Sequence, residues 1–70
     1  MLTIDQILEY AERVIAEEHL AGNRTGLRNT QLACGFLMAA ANAAGDRETA
    51  SRFHNLAARA ANMSEALEEQ

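Results

Sequence analysis

Leu32-Ala33-Cys34-Gly35-Phe36-Leu37-Met38-Ala39-Ala40-Ala41 is a run of ten apolar or glycine residues with no polar interruption. Extended by Asn42, Ala43 and Ala44 it is still too short to cross a bilayer, and it has no β-branched residue. A buried helix is therefore expected, and the rest of the chain reads as its cover. The abundance of alanine, the absence of proline and the few aromatic residues favour helices over strands throughout.

Seventy residues make one domain, 1–70, near the lower size at which a single core holds a fold unaided. The usual staples are missing. Cys34 is the sole cysteine, and two histidines far apart in sequence give no zinc framework, so neither a metal nor a cofactor is expected. Idealised helix packing or oligomerisation has to supply what a disulfide or metal would.

The formal charge is −4, and all six basic residues are arginines. Acidic residues crowd the first segment and the end of the chain, while Arg24, Arg28, Arg47, Arg52 and Arg59 lie between. Net acidity argues against general nucleic-acid binding, which needs clustered cations to displace counterions from phosphates. No signal-peptide pattern and no membrane segment are read, and a lone reduced cysteine suits the cytoplasm.

Upstream of the apolar run, Thr3-Ile4-Asp5-Gln6 has the form of a capping box, with Leu2 and Ile7 placed for a hydrophobic staple. A first helix over residues 4–19 follows. Ile4, Ile7, Leu8, Ala11, Val14 and Ile15 share one stripe, with Tyr10 at its margin. On the opposite face Arg13 is spaced to pair with Glu9 and Glu17. Gly22 is the expected left-handed stop, with His19 near the carbonyl end. Residues 22 to 30 read as the connection. Thr25, and Asn29 or Thr30, compete as caps for the second helix, placed at 29–44.

That second helix has a narrow polar strip of Arg28, Gln31, Gly35 and Asn42 and is apolar elsewhere, so it needs neighbours on nearly every side. Two helices of one small chain do not suffice, which implies a dimer or a bound partner. Leu32, Phe36, Leu37 and Met38 are the candidate oligomer interface. Downstream, Gly45-Asp46 ends one helix and caps the next, a turn short enough to force an antiparallel hairpin. The third helix, at 47–67, carries Ala50, Phe53, Leu56, Ala57, Ala60, Met63, Ser64 and Leu67 on one face. Its alanines are expected against Ala39, Ala40, Ala43 and Ala44, bringing the two axes close. The final Glu68-Glu69-Gln70 is expected to fray. Leu37, Gly45, Ala50 and Ala57 together resemble one helix pair of the tetratricopeptide type. The likeness stops after that pair: His54 stands where the family has an aromatic residue, and no second repeat follows.

Two polar surfaces are candidates for ligand binding. Arg52, Asn55, Arg59 and Asn62 recur at three- and four-residue spacing on the outer face of the third helix, with Glu48 spaced to pair with Arg52. Arg24 and Arg28 lie in the stretch leading into the second helix, where free amides favour anions. The plainer reading of both is a solvated face and a loop rich in caps. Cys34 lies inside an apolar helix, where burial leaves a thiol inert, and no acid, base and nucleophile converge, so no catalytic residue is assigned.

The expected protein is all-α: an amphipathic first helix packed on an antiparallel alanine-rich hairpin, dimeric. Its expected function is that of a small non-enzymatic interaction module, a regulator, adaptor or inhibitor acting as a homo-oligomer on a partner protein. The alternative is a binder of a small anion, nucleotide or nucleic-acid segment through the arginine and asparagine surfaces.

Overall fold

A computed structural model describes residues 1–68. The described residues form three α-helices and no strand: α1 (Ile4–Leu20), α2 (Arg24–Ala43) and α3 (Arg47–Glu68). The fraying expected at the chain end concerns Glu69 and Gln70, outside the described residues.

The start of α1 is set by the capping box. Thr3 Oγ1 accepts from the Gln6 amide at 3.1 Å, and Gln6 Oε1 accepts from the Thr3 amide at 2.9 Å. Leu2 stays 68% exposed, so the companion staple buries little.

Both interhelical connections are built alike. After α1, Gly22 takes φ +66°, its amide donates to the His19 carbonyl at 3.1 Å, and the Asn23 amide donates to the Glu18 carbonyl at 2.8 Å. After α2, Gly45 takes φ +80°, its amide donates to the Asn42 carbonyl at 3.0 Å, and the Asp46 amide donates to the Ala41 carbonyl at 2.9 Å. These are two Schellman closures, each needing a residue that tolerates positive φ. In each case the residue after the glycine caps the next helix. Asn23 Oδ1 accepts from the Gly26 amide at 2.9 Å, and Asp46 Oδ1 accepts from the Thr49 amide at 3.1 Å.

The second helix therefore begins at Arg24, five residues before the expected start, and Arg24 to Arg28 are helical where a loop was expected. Asn23 is the cap, and neither Thr25, Asn29 nor Thr30 serves as one. The telling signal is the glycine-Asx pair itself, since Gly22-Asn23 repeats the chemistry of Gly45-Asp46.

Chain reversal at Gly45 lays α3 back along α2, and these two helices pack closely, whereas α1 packs less extensively on the pair. The core joins Leu8, Ala11 and Ile15 of α1, Leu27 and Cys34 of α2, and Phe53, Leu56 and Ala60 of α3. Leu27 is fully buried, and burying such a side chain stabilises by about 1.5–3 kcal/mol. Its inclusion in α2 fixes which side faces inward, because Leu27, Cys34 and half-buried Ala41 lie two turns apart on one line. Ala50 and Ala60 are buried as expected, but Ala39, Ala40, Ala43 and Ala44 face solvent. The alanine-on-alanine seam is replaced by Cys34, Leu37, Met38 and Ala41 turned toward the core.

The N-terminal end of α1 lies beside α3, where Arg52 Nη1 and Asp5 Oδ1 are 3.3 Å apart. Its C-terminal end lies on α2, where Thr30 Oγ1 donates to Glu18 Oε1 at 2.7 Å. Gly26 permits this approach: a Cβ there would run into the Glu18 carboxylate and the Asn23 side chain.

Candidate functional site: the outer face of α2

From Asn29 to Gly45 the chain has no ionisable side chain except the thiol of Cys34. One side of that stretch is the core. The opposite side carries Leu32, Ala33, Phe36, Ala39, Ala40 and Ala43, all exposed. Leu32 is 66% and Phe36 75% exposed, high values for large apolar side chains in mid-helix. On a helix with 3.6 residues per turn, Leu32, Phe36, Ala40 and Ala43 form one stripe.

The four residues expected at the oligomer interface thus divide. Leu32 and Phe36 are on the open stripe, while Leu37 and Met38 are half-buried and packed on the chain's own core.

Beside the stripe runs a groove of about 300 Å³ between α1 and α2, walled by Ile7, Tyr10 and Val14 on one side and Ala33 and Leu37 on the other. The Glu18 and Thr30 pair lies at its polar end. Tyr10 is 60% exposed, and the Arg13 guanidinium sits 5.5 Å from its ring centroid. This stacked cation takes the place of the expected Arg13 pairs with Glu9 and Glu17. Ala33, in the groove wall, adjoins Leu32 and Phe36 on the helix surface, so groove and stripe lie side by side.

The chain as a whole is more open than a compact monomer. The chain exposes 4903 Å², against about 4,300 Å² for a compact monomer of 7.6 kDa. The Cα extents of 39 × 22 × 14 Å and a radius of gyration of 12.1 Å, against about 11 Å for seventy residues, reflect the same flattened build.

The arginine surfaces do not come together within the chain. Arg24 and Arg28 border a depression of about 250 Å³ shared with Ser64 and Glu68, near the start of α2 and the end of α3. Arg52 lies at the other end, drawn to Asp5 of α1 in place of Glu48. Twelve residues of α3 separate Ser64 from Arg52, about 18 Å along the axis. Asn55, Arg59 and Asn62 are exposed on the same outer face as Arg52.

Cys34 is 1% exposed, and desolvation pushes its thiol above the ordinary range. His19 and His54 are both exposed. Among the described residues, no three His, Cys, Asp or Glu side chains are grouped to hold a metal, and no helix is long and apolar enough to cross a membrane.

Comparison of the chain with known protein families, characterised proteins and solved structures finds no match.

Proposed function

We propose that the protein is a small non-enzymatic interaction module, a regulator, adaptor or inhibitor, that acts as a homo-oligomer through the outer face of α2. The single observation that supports this reading is the exposure of Leu32 and Phe36 on an uncharged helix face. Monomeric proteins seldom leave a contiguous apolar surface of this kind uncovered. Cys34 is buried in the core, and both histidines are on the surface. The reading is of a protein that works by being bound.

Anion or nucleotide binding through Arg24, Arg28, Arg52, Asn55, Arg59 and Asn62 is the second reading. It has less support, because Glu68 shares the depression of Arg24 and Arg28, and Arg52 is engaged by Asp5.

The test is mass in solution combined with a charge placed on the open stripe. At micromolar concentration the native chain should sediment heavier than one chain. Phe36→Asp should sediment as one chain while keeping its helical circular dichroism, because Phe36 is outside the core. Met38→Asp serves as the contrast, since it charges the half-buried margin of the core and should unfold the protein. A native chain that stays folded and monomeric would sink the proposal.

A further inference from the structure

We infer that a second copy of this chain covers the outer face of α2, with the two α2 helices antiparallel and crossing at Phe36. The inference rests on the interaction reading above and specifies its occupant and direction.

Size complementarity is the first reason. In an antiparallel pair centred on Phe36, each residue meets the one equally far from the centre on the other side. Leu32 then lies opposite the partner's Ala40, Ala33 opposite the partner's Ala39, and Asn29 opposite the partner's Ala43. Phe36 meets the partner's Phe36 at the centre, and on either side the larger side chain of each unequal pair finds a smaller one, which suits interdigitation at an ordinary axis separation of about 8–10 Å. A parallel pair in register sets Leu32 on Leu32 and Ala40 on Ala40, crowding one end and leaving a void at the other.

Charge is the second reason. The first turns of α2 hold Arg24 and Arg28, and its last turn has no basic residue, with Asp46 three residues beyond its end. Cations at a helix N-terminus oppose the helix dipole, so α2 alone carries its charges the unfavourable way round. Arg28 is eight residues from Phe36, about 12 Å along the axis. Antiparallel pairing places its backbone level with the partner's Ala44, at the carbonyl end of that helix, which the long side chain reaches by turning from the depression it borders with Ser64 and Glu68. Parallel pairing brings the arginines of both chains together.

Area is the third. From Leu32 to Ala43 the stripe runs eleven residues, about 16 Å along the axis, a face long enough for a helix of a second copy, where a standard interface buries about 800 Å² per partner. A helix laid along the stripe and overlapping the edge of the groove covers a surface of that order.

Direction is read by cross-linking. In a Cys34→Ala background, Leu32→Cys and Ala40→Cys chains are mixed in equal amounts and oxidised mildly. A disulfide needs Cα atoms within about 7 Å, and in the antiparallel pair two copies of residue 32 are about 12 Å apart along the axis. The mixed 32–40 disulfide should exceed the same-residue products by about ten-fold or more. A predominance of 32–32 and 40–40 products would overturn the antiparallel arrangement and leave the interaction reading standing. A native chain with no dimer in sedimentation would overturn both. Arg28→Gln in the otherwise native chain gives an independent answer that does not depend on the cysteine background. The substitution removes the cation from both symmetry-related helix ends, so the dimer Kd should rise by about three- to thirty-fold. An unchanged or tighter dimer would mean that Arg28 does not meet the partner's carbonyl end, and would overturn the inference.

Discussion

Two helical glycines in α2 have opposite uses. A Cβ on Gly35 meets nothing within 4 Å, so the position bears the usual entropic cost of glycine in a helix without a packing return. Gly35→Ala should raise stability by up to about 1 kcal/mol, a gain of roughly 4–8 °C in Tm for a domain of this size. Gly26→Ala gains the same helix propensity but displaces the Asn23 cap and the Glu18 carboxylate bonded to Thr30. The lost cap and hydrogen bond outweigh the gain, and the net change should be destabilising by about 1–2 kcal/mol. Paired thermal melts of the two variants check both signs. The sequence alone could not separate these glycines, because the difference lies in Glu18 crossing from another helix. Leu27 shows the same limit: read as part of a connection, it is one leucine among polar neighbours, and only a cap at Asn23 turns it into the fully buried residue that orients α2.

At the level of elements, both ends of α1 and the joint between α2 and α3 were legible because their caps use local chemistry that spacing reveals, while the cap of α2 at Asn23 was passed over. The phase of α2 was not legible, since a helix apolar on almost every side gives periodicity nothing to choose between. The two glycine-Asx joints make separable predictions. Asn23→Ala removes an acceptor for the Gly26 amide and should cost about 1 kcal/mol, seen as a lower Tm. Asp46 is sensitive to acid. The Thr49 hydroxyl at 2.7 Å, together with the Thr49 amide, holds its carboxyl below the ordinary range. Because the folded value is the lower one, this contribution is complete above about pH 4 and is lost as pH falls through the range beneath it. Asp46→Asn retains an acceptor without the titration, so its Tm should decline less steeply between about pH 4 and pH 2 than that of the native chain. Equal declines would show that another carboxylate governs the acid limb.

For the whole molecule, an all-α fold and an excess of apolar surface could be anticipated from the chain, while the way that surplus divides could not. Part of it was spent on the chain's own hairpin, through Leu37 and Met38, and part was left on the outside, through Leu32 and Phe36. The uncharged length of α2 also sets how association should respond to temperature. Covering apolar surface lowers heat capacity, and near room temperature its driving force is mainly entropic, so it weakens on cooling. A dimer formed across this stripe should therefore dissociate more readily near 4 °C than at 25 °C, and titration calorimetry of its dilution should give a heat capacity that rises as the chains part. Cold would thus act on the apolar stripe, a part of the interface that salt does not weaken.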